Sequence, residues 1–433
     1  MRAIFHPSTF IHYPSFFMLY RQHFLKALQT RREEFVAFER AWRDEVSAGA
    51  RVLRGLGNRR AAEIDAMTRG STPGALPSEE LDRHNSMAVA FRERWRSHEG
   101  ARGWAKDVLF ERTTFAADGS QILPGREISL PVAGVQVAWF ENPHTLDGRG
   151  YRKDARFEVV TPKELLEADG GAANAGAVVN LRRFHMEAQA VGEFLESKRG
   201  WRERGERVPI AFFDGMLLLI TAVASGRINA KPESDTLFPT AYVNDMARLV
   251  RLSRDTQVPV VGYIDQSYAR DLVRLVSVLD KSHSKRASGV YDAQLLRTAT
   301  TEDAEPPLLC AWGDRTVFCY CLREGLPEDF IDERGVPLVG FVYLQTTAES
   351  TPARLDVPTW VYEAGLLDEV MDAVRAECVV GNGYPYALET ADAAAVITSQ
   401  DRERFLHAMQ EFAEEGGFAL RVSRKAVSKI HRR

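Results

Sequence analysis

The chain has 433 residues, 45% of them hydrophobic and 27% charged, enough to bury a sizeable core in as many as three domains or in one large domain with additions. Lys and Arg number 56 against 60 Asp and Glu, a formal charge of −4. That balance excludes a histone-like or polybasic membrane protein, but not a nucleic-acid enzyme, which needs only a local basic stripe.

Residues 16–52 mix Leu, Phe and Val with Arg and Glu at roughly helical intervals, glycines at 55, 57, 70 and 74 break the pattern, and a second helical stretch is expected over 78–96. Residues 1–105 read as a helical N-terminal arm and 106–433 as the main domain. From residue 110 the texture turns to short β-rich segments: 114–117 ending at Asp118-Gly119, 132–140 with Val135, Val137 and Trp139 on one face, and 156–160. An Ala/Gly-rich linker over 170–176 precedes a helix at 181–196. An apolar run at 208–213 ends at Asp214-Gly215, a helix covers 242–255, a second run at 258–264 ends at Asp265, and a helix covers 269–279. Residues 281–307 read as a polar loop, 316–322 and 338–344 as strands, and 366–377 and 385–398 as helices. Three strands, helix, strand, helix, strand, helix is the order of an α/β fold with a mixed sheet flanked by helices.

Cys310, Cys319, Cys321 and Cys378 lack paired spacing and finger-like histidines, which argues against a zinc site or a disulfide framework and for reduced thiols. The opening Met-Arg-Ala-Ile-Phe-His-Pro meets polar residues and proline too soon for a signal peptide, and the apolar stretch 216–224 is too short to span a bilayer. A cytoplasmic protein without membrane contact is expected.

The informative residues are acids in unusual places. Asp118 and Asp214 each follow an apolar β-like run and precede glycine. Each is expected at the carboxyl end of a strand, where open α/β sheets place their sites, with glycine turning the chain away; alone, either fits an ordinary Asp-Gly turn. At about 100° per residue, Leu181, Phe184, Ala188, Val191 and Leu195 share one helix face, with Glu187 at its margin and Glu193 opposite, in solvent. Spacing alone fits a plain helix-flank glutamate at 187 equally well. In the last helix the apolar stripe Leu388, Ala391 and Ala395 takes in Asp392, and a carboxylate buried there wants a cation or a hydrogen-bonding partner. Converging carboxylates raise one another's pKa unless a cation neutralises them, and oxygen-only ligands suit Mg²⁺ or Mn²⁺. Two such ions about 4 Å apart activate a water and stabilise the leaving oxygen of a phosphodiester, so the chemistry implied is phosphoryl hydrolysis.

Five segments then occur in order: Phe115-Ala-Ala-Asp-Gly-Ser-Gln, Ile210-Ala-Phe-Phe-Asp-Gly-Met-Leu, Val261-Gly-Tyr-Ile-Asp, Asp271-Leu-Val-Arg-Leu and Gly381-Asn-Gly-Tyr-Pro-Tyr-Ala-Leu-Glu-Thr-Ala-Asp. Together, over about 110–398, they resemble the NurA nuclease family. The resemblance implies a ribonuclease-H-like fold and a Mn²⁺- or Mg²⁺-dependent DNA nuclease, a 5′-to-3′ exonuclease with single-strand endonuclease action as an addition. It also implies a ring-like homodimer that works beside the hexameric HerA ATPase in DNA end resection and repair. Asp118 matches the family's first aspartate and Asp214 the one after the central strand. Glu187 is the best match for the helix glutamate; its interval to Asp214 is long, and Glu193 is the fallback. Asp392 stands where the family often carries histidine, and ribonuclease-H-like sites accept either residue. Asp265 stands where relatives often have serine and ranks second. The resemblance thus gives Asp118, Glu187, Asp214 and Asp392 as holders of two ions.

Candidate phosphate contacts are Arg248, Arg251 and Arg254 on one helix, Arg270 and Arg274 on another, and a basic tail with Arg421, Arg424, Lys425, Lys429, Arg432 and Arg433. Tyr384 and Tyr386 either stack on a base or pack the start of the last helix, packing being favoured. Two other readings stay open. One is a catalytically degenerate DNA-binding scaffold for the ATPase; the other is a haloacid-dehalogenase-like phosphatase around Phe213-Asp214, weakened by the lack of an Asp-x-Asp motif. No Walker-type loop is present, so ATP hydrolysis would belong to the partner.

Overall fold

The structure, a computed structural model, describes residues 21–125, 128–148, 150–167, 175–218, 237–280, 289–298, 306–347 and 351–421. In chain order the elements are α1 (Arg21–Thr30), α2 (Arg32–Gly55), α3 (Ala61–Thr68), β1 (Gly74–Pro77), α4 (Glu80–His84), β2 (Ala88–Val89) and α5 (His98–Leu109). Next come β3 (Thr114–Ile122), β4 (Ala133–Asn142), β5 (Arg152–Val160), α6 (Pro162–Glu167), α7 (Ala175–Ser197), β6 (Ile210–Asp214), α8 (Leu237–Thr256), β7 (Val260–Ile264) and α9 (Asp271–Leu279). The rest are α10 (Asp292–Arg297), β8 (Arg315–Thr316), β9 (Cys319–Leu322), β10 (Val339–Leu344), β11 (Ala353–Pro358), α11 (Thr359–Glu363), α12 (Leu367–Val380), α13 (Tyr386–Ala395) and α14 (Ser399–Glu415).

The strands form one sheet in the order β1-β9-β10-β11-β7-β6-β3-β4-β5, with β2 and β8 beside it. β3, β4 and β5 make an antiparallel meander; β6 then lies parallel to β3, and β7 parallel to β6, with α7 and α8 as the connecting helices. This is the ribonuclease-H-like arrangement that the sequence led us to expect. β11 pairs antiparallel with β7 and extends the sheet through β10, β9 and β1. β6 and β7 are buried on both faces, which is why they read as unbroken apolar runs.

Strand alternation sorts the core into two layers. Phe115, Ala117, Ala211 and Phe213 join α7 and α8 on one face. Ala116, Ile210 and Phe212 join α5, α12 and α13 on the other.

Several element expectations change. Strand β3 does not end at Asp118-Gly119; it runs on to Ile122 because β4 continues to pair with it, Asp118 opposite Ala138. Its parallel partner β6 stops earlier, the last pair being Ala117 with Phe213. The helix expected over 78–96 is confined to Glu80–His84, since β1 and β2 on either side pair with β9 and β8. α10 lies inside the expected loop 281–307, and β11 and α14 were not anticipated. The Ala/Gly linker lies mostly outside the described residues, and α7 begins at Ala175. Cys319, Cys321 and Cys378 are buried and Cys310 exposed, all as free thiols. Among the described residues no helix is long and apolar enough to cross a membrane.

Candidate metal centre

The site forms where parallel pairing between β3 and β6 ends. Asp214 is the last residue of β6, and Asp118 is the first of β3 beyond that ladder. By alternation both aspartates share the face of Ala116 and Phe212, on which α13 packs. α13 brings Asp392 to the same end of the sheet, close enough to raise the carboxyl of Asp118. The Asp118 carboxyl is pushed up to about 6, by burial first and then by the charges of Asp214 and Asp392; a hydrogen bond from the Gly119 backbone opposes the rise. Asp214 opens to solvent, yet desolvation by the cleft walls raises it as well, with Asp392 and Asp265 adding repulsion.

Glu187 approaches from the α7 face and is 4% exposed. Burial lifts its carboxyl to about 8, outweighing Arg183, while Asp118 and Asp214 lift it further. Arg183, one turn earlier on α7, donates from Nη1 to Glu187 Oε1 at 3.2 Å and to the Gly119 carbonyl at 3.2 Å. Gly119 is therefore not the chain-turning glycine expected. It sits mid-strand facing α7, where a Cβ would collide with Glu187 Oε1 and come within 2.7 Å of Arg183 Cγ. The missing side chain is what lets the glutamate lie against β3.

Gly215 does turn the chain, at φ 132°, and the turn crosses Gly262 of β7, where a Cβ would meet the Gly215 carbonyl at 2.6 Å. Beyond it the Leu217 amide donates to Asp356 Oδ2 at 3.1 Å, and Asp356 is held by the fully buried Arg354 at 2.8 Å. Tyr384 neither stacks openly nor merely packs: its hydroxyl donates to Asp214 Oδ1 at 3.4 Å while its ring sits edge-on to Tyr263. Tyr386 packs against Phe140, as favoured.

Asp392 corrects one expectation. It is exposed, not buried in the helix stripe, because the buried arc of α13, made of Ala387, Leu388, Thr390, Ala391 and Ala395, ends at Leu388 and Asp392 falls about 40° beyond it. Asp265, just past β7, is exposed and close enough to raise Asp214. Glu193 is outside the cluster, in a two-pronged ion pair with Arg156 at 2.9 and 2.6 Å. Among the described residues, no three acid, His or Cys side chains are already drawn together in a coordinating group. What suits Mg²⁺ or Mn²⁺ is the donor chemistry: carboxylate oxygens alone, repelling one another, one of them deeply buried.

The basic residues are dispersed. Arg248 pairs with Asp245 at 3.0 Å, Arg251 donates to the Asp329 carbonyl at 2.8 Å, and Arg254 contacts Asp255 at 3.5 Å. Arg274 is engaged with Thr72 and Glu324. Arg270, preceding α9, keeps a buried Nε without a hydrogen-bond partner. Arg421 donates its amide to Ser129 Oγ, while Arg424, Lys425, Lys429, Arg432 and Arg433 lie outside the described residues. Arg183 was not singled out in the sequence, although its spacing of four from Glu187 is the signal that would have found it.

Comparison with known proteins bears on this arrangement. No curated protein is a significant match. The chain is similar to a crystal structure of NurA with manganese at 9% identity and a TM-score of 0.38, covering 70% of this chain and 89% of that one. It is similar to NurA bound to dAMP and manganese at 9% identity and 0.37, covering 70% and 88%. The C-terminal lobe of a budding yeast Argonaute follows at 9% and 0.24, covering 66% and 48%. Likenesses this distant add nothing to the sequence match. The sequence profile of the NurA domain matches residues 112–397, a span that contains Asp118, Glu187, Asp214 and Asp392 and leaves out α1 to α5. With more than half of its length matched, the chain belongs to the NurA family of nucleases.

Proposed function

We propose that the protein is a divalent-metal-dependent deoxyribonuclease. The observation that carries this reading is the gathering of Asp118, Asp214, Asp392 and Glu187 at the end of the β3–β6 pairing, with three of the four carboxyls raised by burial and mutual repulsion. Asp118, Glu187, Asp214 and Asp392 would hold Mn²⁺ or Mg²⁺, in our reading two ions, with Asp265 in an outer role. Bound there, divalent cations supply the charge that activates a water and stabilises the leaving oxygen of a phosphodiester.

The protein's own groups prepare that site. Tyr384 orients Asp214 through its hydroxyl. Arg183 positions Glu187 and places a guanidinium beside the acids. Without a cation, Asp118, pushed up to about 6, takes up a proton below that pH, which relieves its repulsion with Asp214 and Asp392.

The finer reading is 5′-to-3′ exonuclease action, with single-strand endonuclease activity, by a homodimer beside a HerA-type hexameric ATPase in DNA end resection. Residues 106–433 would form the nuclease domain, and 1–105 would be an addition to it that is not a free helical arm, since its segments β1 and β2 join the same sheet. Near-neutral overall charge supports DNA capture by a local lining, a dimer channel or the partner rather than by the whole surface.

Cleavage of end-labelled single- and double-stranded DNA tests the proposal. Cleavage is expected in Mn²⁺, none in EDTA, and Asp118→Asn and Asp214→Asn should each lose at least about 100-fold while keeping the native circular dichroism. Folded variants that cut at the wild-type rate would sink the assignment. The lack of a ready-made coordinating group favours one competing reading, a degenerate DNA-binding scaffold for the ATPase. That reading predicts ATPase binding and no metal-dependent cleavage by the purified protein.

A further inference from the structure

Three of the seven tryptophans gather around Phe91. The ring centroids of Trp95, Trp104 and Trp312 lie 5.7, 5.4 and 5.6 Å from that of Phe91, and Trp95 stands 5.1 Å from Trp104 and 5.2 Å from Trp312. Their floor is rigid. Phe91 is buried; the guanidinium of buried Arg375 lies over its ring at 4.5 Å and donates from Nε to the Gly313 carbonyl at 2.9 Å. Asp314 accepts from the amides of Phe91 at 3.0 Å and Ala311 at 2.9 Å, fixing the loop that carries Trp312.

The indoles themselves stay half-buried. Among the described residues no protein atom accepts from any of their three N–H groups, whereas Trp201 and Trp360 donate to the Gln257 carbonyl and Ser253 Oγ. A preorganised aromatic cluster left open in this way offers flat faces and polar edges to a flat ligand.

A cavity of about 480 Å³ opens against it, lined by Arg94, Trp95, His98, Trp312 and Asn382 among others, with Glu93 the one acid among the described residues that line it. Its lining includes Gly383, and the next residue, Tyr384, is the one that bonds Asp214. Cavity and acidic cluster are thus joined by two consecutive residues, Gly383 and Tyr384.

We infer that this cavity takes an unpaired nucleobase of a single DNA strand whose backbone passes the acidic cluster, the base stacking on Trp95 and Trp312. The inference rests on the nuclease reading for its choice of ligand. Indole faces bind any base by its π-surface, Arg94 supplies positive charge for the adjoining phosphates, and His98 lines the cavity beside it. Continuity with a phosphodiester site favours a nucleotide over a partner's side chain. The wall that carries Trp95 and His98 lies outside the matched residues 112–397, and the wall that carries Trp312 and Asn382 lies inside them.

Anisotropy of a labelled oligodeoxythymidylate, measured in EDTA so that no cleavage occurs, tests it. Trp95→Ala should weaken binding about tenfold or more, and Trp95→Phe should restore most of it. An abasic oligomer of the same length should bind wild type weakly and be indifferent to the substitution. Equal affinities of wild type and Trp95→Ala, an equal loss on the abasic strand, or intact DNA affinity with loss of ATPase binding would each overturn the inference. Wild-type protein gives a check free of folding effects: tryptophan emission should be quenched by the oligodeoxythymidylate and not by the abasic strand, and unquenched emission at saturation also overturns it. Failure of the nuclease reading shows separately, as wild type that does not cut DNA in Mn²⁺ whatever the binding results in EDTA.

Discussion

Glu187 is a carboxylate with one cationic neighbour in a place where water cannot help it, and its proton is the cheapest neutraliser when no metal is bound. Its folded pKa, raised to about 8 from 4.5, means the folded protein holds a proton that the unfolded chain has released across that interval. Asp118, raised to about 6 from 3.8, acts in the same direction lower on the scale. Both contributions are complete below the unfolded values and are lost as pH rises through the folded ones. Metal-free protein should therefore lose stability between pH 5 and 8, by up to about 1.4 kcal/mol per pH unit for each proton. Urea unfolding in EDTA measures this, and Glu187→Gln should flatten the slope above pH 6; an unchanged slope would refute the placement of that proton. At this scale the sequence was partly legible. Asp118 and Asp214 follow apolar runs, and helix periodicity separated Glu187 from the solvated Glu193. Periodicity could not find where the buried arc of α13 ends and leaves Asp392 exposed, nor see that Tyr384 reaches Asp214, because both depend on what lies opposite.

Among the elements, those with local signatures were readable: the alternation of β3 to β5, the unbroken apolar runs of β6 and β7, and the stripe of α7. β1 was not, since Gly-Ala-Leu-Pro is a strand only by virtue of β9. β11 was hidden by its charges. Arg354 and Asp356 lie fully buried in it; Arg354 Nη1 reaches Asp271 Oδ2 at 2.6 Å, and its guanidinium lies 3.9 Å from the Phe341 ring centroid. Composition reads such residues as surface; their pairing with each other at 2.8 Å, and with the distant Asp271, itself gripped by Arg323 at 2.7 Å, makes their burial tolerable. Arg354→Met should therefore leave two buried carboxylates under-paired and cost about 3–5 kcal/mol in urea unfolding. Exposed Arg248→Ala should stay within about 0.5 kcal/mol. A small loss for Arg354→Met would mean that the network is not a keystone of the β7–β11 junction. Because Asp356 also anchors Leu217, the damage should extend to the turn beyond Asp214.

For the whole molecule, the acidic cluster joins β3, α7, β6 and α13, so a cation held by all four would favour the folded state by mass action. Manganese should raise the thermal midpoint of wild type and do so much less for Asp118→Asn or Asp214→Asn; equal shifts in all three would place the ion elsewhere. The fold class followed from the order of strands and helices, whereas the continuation of one sheet from the β3 meander out to β1 did not, since its pairings bring together segments far apart in the chain. That separation has a consequence for how the protein is made. Asp118 is synthesised early in the matched region and Asp392 almost at its end, after α12. A chain still emerging from the ribosome lacks α13, so it carries neither Asp392 nor the turn that bears Tyr384 until nearly all of the domain is made. The acidic cluster is thereby among the last parts to be completed, and a prematurely terminated chain never assembles it.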